Sequence, residues 1–419
     1  MRSHPVLDEL AGAGIRLGLG RMRDFLAAQG GPERRYPVLH VGGTNGKGSV
    51  CRMLGSVLRA GGYRAGVHTS PHLQQVNERI LVDGLMIDDG QLDALIVRMD
   101  VARRQWAAEV LPLEVFPLTY FEFTVAAAYQ HFADVGVDCA VVEVGMGGRL
   151  DATNICAPIA TAIVSVGLDH CDELGRDVAA IAGEKAGIIK PGVPVVTGPM
   201  PAEALQVIRS VAAERGAPLS VWGQDFEGFG ESGSFRYRGG REIGGLVSGL
   251  SGDHQVCNAA VAVRVLECSG LSIGVDAIRT GLVSVRHPGR LEWLANDLLV
   301  DGAHNPDGAN TLAAYLASLS RDRRRVLLLG SGRDKDIRSV AAALAPQVDR
   351  IYTTACDHPR ARTPWEVATE LEGLPVPVSP AGPLAEAVSA CRDNHTLVIA
   401  AGSLYMVGAV RDLVGAVPA

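Results

Sequence analysis

The feature that most narrows the folds open to this chain is an alternation of short, mainly apolar runs with helix-length amphipathic stretches. Val38–Val41, Ala65–Thr69, Cys139–Val144, Ala160–Val166 and Pro194–Thr197 read as buried strands. Gly48–Ala60, Asp88–Arg104, Phe121–Ala133 and Ala202–Arg215 read as the helices between them. A strand that is apolar at every position has both faces covered, the condition of a parallel sheet flanked by helices. The expectation is an α/β protein.

Two stretches break the pattern. Val221–Leu250 is rich in Gly and Ser, with short alternating pieces such as Ser234–Tyr237, and suits a small antiparallel sheet followed by a helix from about Asn258 to Ser269. Val285–Glu292 carries Pro288 and Gly289 and reads as a linker. The alternation then restarts, with strands Leu298–Asp301, Arg325–Gly330, Arg350–Thr354 and Thr396–Ala400 and helices Gly308–Leu319 and Asp336–Leu344. A chain of 419 residues is long for one domain and comfortable for two. The expected division is a P-loop parallel-sheet domain over 1–286, a linker over 287–293 and a Rossmann-like α/β domain over 294–419.

Composition serves mainly to exclude. With 47% hydrophobic and 20% charged residues the chain can bury real cores, and its net charge of −7 speaks against nucleic-acid or anionic-membrane partners. The charge-free runs Ala152–Leu168 and Thr396–Val410 fall short of the roughly 18–20 apolar residues of a bilayer span and contain Gly or Pro breaks. Asp8 and Glu9 stand where a secretory signal would be apolar. The eight cysteines form no C-x-x-C pair and read as reduced, buried thiols. A cytoplasmic monomer acting on small molecules is the expectation, and the tail after Leu413 reads as frayed.

The segment His40-Val41-Gly42-Gly43-Thr44-Asn45-Gly46-Lys47-Gly48-Ser49 follows an expected strand and opens an expected helix. Glycines there let backbone N–H groups turn onto a phosphate, the helix N-terminus adds partial positive charge, and a lysine reaches the terminal phosphates. The strict Walker pattern is not met, because the hydroxyl comes one residue late, at Ser49. Three other residues share the loop's address at strand ends: Ser70 in Thr69-Ser70-Pro71-His72, Glu143, and His170 after Asp169. Ligands of open parallel sheets gather at that edge. A hydroxyl, a carboxylate and an imidazole around phosphate oxygens suit magnesium. Lys185, in Gly183-Glu184-Lys185-Ala186-Gly187, has as its ordinary use an ion pair with Glu184 or another acid.

Taken together these segments resemble the folylpolyglutamate synthase/dihydrofolate synthase family, a branch of the Mur ligase superfamily. The likeness runs through GTNGKGS, TSPHL, Asn77-Glu78-Arg79-Ile80, Thr119–Glu122, Glu143–Asn154 and Gly167–His170. It continues through Gly183–Gly192, Asn258–Ala260, His287–Arg290, Asp301–Pro306, Asp334–Ile337 and Gly402–Gly408. What the resemblance implies is ATP-driven attachment of L-glutamate to a folate-type carboxylate through an acyl phosphate, with two magnesium ions. Thr44, Asn45, Gly46, Lys47, Gly48 and Ser49, with Asn258, Arg290 and Asp301, match the nucleotide-holding residues. Ser70, Glu143 and His170 match metal ligands, and Lys185 matches a lysine carbamylated to bind the second magnesium. Lys47, Lys185 and His170 are the implied catalytic group, and Ser70 the main metal-binding hydroxyl. Gly18, Thr119, Tyr120, Phe121, Glu122, Leu150, Asp151 and Ala152 match the segments lining the pterin site. Arg290 and Asp301, in the second domain, imply closure over ATP. The chain departs from the family pattern at Gly42, where alanine is usual, at Gly18-Leu19-Gly20-Arg21, which lacks the usual glutamate, and at Gly332-Arg333.

Two other readings compete. A muramyl-peptide ligase would carry a further domain ahead of the loop, which here begins about 40 residues in. A P-loop switch that binds partners would show a guanine-reading Asn-Lys-x-Asp element, which the sequence lacks, and would leave Lys185 unexplained.

Overall fold

The computed structural model describes residues 4–12, 14, 16–110, 118–392 and 395–416. Of the tail expected to fray, 414–416 fall inside that range and 417–419 outside it. The first sheet holds β1 (Val38–Gly42), β2 (Ala65–His68), β3 (Ile80–Val82), β4 (Leu85–Met86), β5 (Cys139–Glu143), β6 (Ala160–Ile163), β7 (Val195–Thr197) and β8 (Leu219–Val221). Their spatial order is β4-β3-β2-β5-β1-β6-β7-β8. All pairings from β2 to β8 are parallel, and β3 and β4 add an antiparallel hairpin at one edge. Strands β1, β2, β5, β6 and β7 are buried along their whole length, as their unbroken apolar character requires.

A three-stranded antiparallel sheet follows, β9 (Glu227–Glu231), β10 (Ser234–Arg238) and β11 (Glu242–Leu246), in the order β11-β10-β9. Phe235 and Tyr237 point inward from β10 while Ser234, Arg236 and Arg238 face solvent, the period-two pattern of a half-buried strand. The third sheet contains β12 (Glu292–Ala295), β13 (Leu298–Val300), β14 (Arg324–Leu329), β15 (Arg350–Thr353), β16 (Val378–Pro380) and β17 (Thr396–Ala401). Its order is β12-β13-β17-β14-β15-β16, parallel except for β12.

The chain divides into two compact units, Met1–Gly249 with Gln255–Arg286, and Leu250–His254 with His287–Ala419. Strand β12 begins inside the stretch expected as a linker, at Glu292. Each unit has its own apolar cores: one under Phe25, Phe123, Phe132 and Tyr129, a second around Ile181, Ile188 and Ile208, and, in the second unit, one around Leu299, Leu327, Val340 and Ile399. Among the described residues no helix is long and apolar enough to cross a membrane.

Candidate active site

In the first sheet β1 is flanked by β5 on one side and β6 on the other. The chain leaves β1 toward β2 on one side and later returns across β1 to reach β6. The loop after β1 therefore opens at a switch point, where a crevice forms between the carboxyl ends of neighbouring strands. Gly43 (φ +144°) and Gly46 (φ +83°) both take left-handed backbone conformations. A side chain on Gly46 would also collide with Asn258 Oδ1 at 2.6 Å and Val164 Cγ1 at 2.8 Å, so glycine is demanded twice over.

The loop is braced against the segment after β6. Thr44 N donates to Ser165 O (2.9 Å), Thr44 Oγ1 donates to Gly167 O (3.1 Å), and Gly167 N donates back to Thr44 Oγ1 (3.0 Å). Asn45 N donates to Ser165 Oγ (2.9 Å), and Ser165 Oγ donates to Asn45 O (3.0 Å). Lys47, the first residue of helix Lys47–Ala60, folds its Nζ back onto Thr44 O at 3.0 Å. Gly48 and Ser49 complete that first helical turn, with Ser49 buried. Asn258, on helix His254–Cys268, is buried beside Gly46, and its Nδ2 donates to Gln255 Oε1 (2.9 Å).

Glu143 is the last residue of β5 and stands in register with Val41 of β1, directly beside the loop. Its Oε2 accepts from Ser70 N at 3.0 Å, which brings Ser70 from the end of β2 to the same edge. Lys185 comes from helix Val178–Ala186, which starts on the Asp177 cap, and its Nζ donates to Gly43 O at 3.0 Å. The ordinary pairing with Glu184 does not occur: Glu184 accepts from Arg149 at 2.8 Å instead. Burial first, and then the Lys47 charge, pull the Lys185 ammonium down to about 7 from its usual value near 10.5. A substantial fraction is thus a neutral amine near neutral pH. His170 sits after β6 with φ +52°, a left-handed conformation costly for a side-chain-bearing residue, and caps the short helix Cys171–Leu174. Asp169 Oδ1 accepts from His170 N at 2.9 Å.

Among the described residues no three His, Cys, Asp or Glu side chains converge to hold a metal by themselves. Glu143 offers a carboxylate, and Ser70, held to it through its backbone N–H, carries a hydroxyl; both are hard oxygen groups of the kind magnesium takes, usually with several waters. Lys185 as an amine does not fit a magnesium shell. Its burial, the absence of a salt-bridged carboxylate among the described residues and its lowered pKa fit an amine open to conversion into an oxygen donor.

The expected pterin-lining residues form a neighbouring group. Thr119 caps helix Tyr120–Val135 through a capping box with Glu122, and Arg21 Nη2 donates to Glu122 Oε1 at 2.8 Å. That pair ties the Gly18–Arg21 segment, with Gly18 at φ +139°, to the start of the helix. Phe121 packs directly under Gly145, where a side chain would collide with its ring. Asp151 is buried and accepts from Met146 N (2.9 Å), Thr153 N (3.0 Å) and the Thr153 hydroxyl. Burial raises its pKa against those hydrogen bonds. Its carboxylate therefore shapes the turn between half-exposed Leu150 and buried Ala152. Arg290 and Asp301 belong to the second unit, where buried Asp301 accepts from Leu291 N and Ala303 N, both at 2.8 Å. Sequence reasoning assigned no role to Ser165, Asp169 or the Arg79–His72 pair. A hydroxyl just past a strand end was the available sign for Ser165.

A P-loop at the switch point of a parallel sheet, an oxygen-donor edge and a second α/β unit together define a Mur-type ligase. Residues 289–404 match the Mur ligase, glutamate ligase domain. The chain is 33% identical to the dihydrofolate synthase/folylpolyglutamate synthase of Bacillus subtilis, across 95% of each chain. Its fold is similar to Mycobacterium tuberculosis folylpolyglutamate synthase complexed with ADP, with a TM-score of 0.92, 33% identity and 99% of each chain covered. It is also similar to the Yersinia pestis bifunctional folylpolyglutamate synthase/dihydrofolate synthase complexed with AMPPNP and Mn ion, with a TM-score of 0.86, 32% identity, and 98% and 96% of the two chains covered. The chain belongs to the folylpolyglutamate synthase/dihydrofolate synthase family.

Proposed function

We propose that this chain joins L-glutamate to the carboxylate of dihydropteroate, of (tetrahydro)folate polyglutamates, or of both, at the expense of ATP. The observation that carries the reading is the convergence of the glycine loop, Lys47, Lys185 and the Glu143–Ser70 pair at one sheet edge. The relatives named above bear folate, not muramyl, names. In this reading residues 1–286 supply the phosphate loop and the acceptor site, and 294–419 form the glutamate-ligase part.

Amide formation needs a leaving group better than hydroxide. An acceptor carboxylate oxygen attacks the γ-phosphorus, ADP departs, and an acyl phosphate forms. The glutamate amine then attacks the acyl carbon, inorganic phosphate leaves and the amine loses a proton. Phosphoryl transfer of this kind is mostly positioning and charge neutralisation. Thr44–Ser49 would cradle the phosphates, with Lys47 turning from Thr44 O to the terminal phosphate. Bound magnesium would neutralise the phosphate oxygens, held by Ser70, Glu143 and His170 and by a carbamylated Lys185. Asn258, Arg290 and Asp301 are read as nucleotide contacts, and Gly18, Thr119–Glu122 and Leu150–Ala152 as the acceptor pocket. No side chain is required as a nucleophile.

Lys47→Ala should abolish ligase turnover while leaving the circular-dichroism spectrum and melting behaviour near wild type. Undiminished glutamate-dependent ADP release by that variant contradicts the proposal. Product analysis with dihydropteroate against tetrahydrofolate as acceptor assigns the balance between the two activities.

A further inference from the structure

Arg79 lies between the loop carrying Ser70 and the start of helix Tyr120–Val135. It ends the short 3-10 turn Val76–Arg79 and is only 6% exposed. Its carbonyl accepts from Thr69 N (3.3 Å) and from His68 Nδ1 (2.9 Å), fixing the backbone one residue from Ser70. Its Nε donates to His72 Nδ1 at 2.9 Å, and its guanidinium carbon stands 5.4 Å from the centroid of the Tyr120 ring.

What the guanidinium lacks is an anion. The acids on the neighbouring segments are already engaged. Glu78 accepts from three backbone N–H groups, those of Leu73 (2.7 Å), Gln74 (2.8 Å) and Gln75 (2.8 Å). Glu122 is taken by Arg21 and Thr119 N, and Glu143 accepts from Ser70 N. No described carboxylate pairs with Arg79, and neither Nη group has a hydrogen-bond partner among the described residues. Buried cations are ordinarily paired, because removing the charge from water is costly. The two ligands the residue does have, an imidazole nitrogen and an aromatic face, hold the fork in place without cancelling its charge.

We propose that Arg79 is a substrate-positioning residue whose free Nη edge binds the carboxylate end of the pteroyl acceptor, with His72 and Tyr120 fixing its orientation. This inference rests on the function proposed above. An acceptor seated against Tyr120, with its reacting end toward Ser70, passes this fork, and a guanidinium recognises a carboxylate through two parallel hydrogen bonds. His72, as the acceptor of the Arg79 Nε–H, carries its ring proton on Nε2.

The test compares binding of pteroic acid and its carboxamide to the full chain, with wild type, Arg79→Gln and Arg79→Met. Wild type should bind the acid at least about tenfold more tightly than the amide, and both variants should reduce that preference to within about twofold. Acceptor KM should rise about tenfold to a hundredfold while KM for ATP stays within about twofold, a split that a merely structural lesion would not give. ADP affinity identifies which variant is folded, and the Met variant, which keeps an unbranched apolar stem, stands in should Gln fail. A folded variant that keeps the wild-type preference for the acid overturns the inference alone, leaving the proposed function standing. A wild-type chain that ligates glutamate yet shows no preference for the acid overturns it equally. A wild-type chain that neither binds pteroic acid nor ligates glutamate removes the functional reading and this inference with it.

Discussion

At Gly46 two demands meet in one residue. The left-handed φ excludes most side chains at a cost of about 1–2 kcal/mol, and the missing Cβ leaves room for the Asn258 amide. Gly46→Ala should therefore lower stability by about 1–3 kcal/mol and weaken ATP binding by at least about tenfold, since Asn258 must move as well. Urea titration and calorimetry check the two effects separately. Wild-type nucleotide affinity in that variant would mean that neither the loop turn nor Asn258 positions the phosphates. Lys185 shows how far a residue can be read from sequence. Its neighbour Glu184 suggested an ion pair, but the helix turns Glu184 toward Arg149 and Lys185 inward toward Gly43 O. Adjacent helical residues face different directions, so sequence adjacency said nothing about pairing.

Among the elements, the long apolar strands were legible because burial on both faces leaves an unbroken run. Several short ones were not: β3, β4, β8 and β16 span two or three residues each, too few to show any period. β7 and β13, no longer than β3, are buried at every position and stood out as apolar runs. β12 was hidden by Pro288 and Gly289 just before it, which read as linker. The site followed the same division. Strand ends placed Ser70 and Glu143 together, whereas the brace between Thr44 and the Ser165–Gly167 segment spans some 120 residues of chain and has no local sign. The start of helix Tyr120–Val135 carries a prediction at this scale. Thr119 and Glu122 satisfy each other's backbone N–H groups, and Glu122 also holds Arg21. Thr119→Ala should cost about 1 kcal/mol in urea unfolding. Arg21→Ala should cost less in stability but raise KM for the pteroyl acceptor several-fold without changing KM for ATP, because it frees the Gly18 segment. Equal rises in both constants would argue that Arg21 serves folding rather than the acceptor pocket.

Across the whole molecule, burial of neutral histidines sets an acid limit on stability. Burial is the main cause that pulls His40, His68 and His72 down to about 3, and in the second unit His254 down to about 4, with Lys190, Arg79, Arg79 and Arg290 respectively as second contributors. Unfolded histidine titrates near 6.5, so between that value and the native one the unfolded chain binds a proton that the native chain refuses. Stability is then fully present above about pH 6.5 and falls as the pH drops, by about 2 kcal/mol per histidine at pH 5. Buried Asp151 and Asp301, with raised pKa values, act in the opposite direction on acidification, but each unit holds one of them. Three of the four histidines lie in the first unit, so acid should weaken that unit the more. Hydrogen exchange at pH 7.5 and 5.0, corrected for intrinsic rates, should show protection lost more steeply in peptides of β1, β2 and β5 than in those of β14 and β17. The double variant His40→Gln, His68→Gln should bring the two units' acid responses closer together, provided its loss of buried contacts is referenced to its own stability at pH 7.5. Equal losses in the two units of the wild-type chain would show that these rings are already protonated, or already exposed, in the native state.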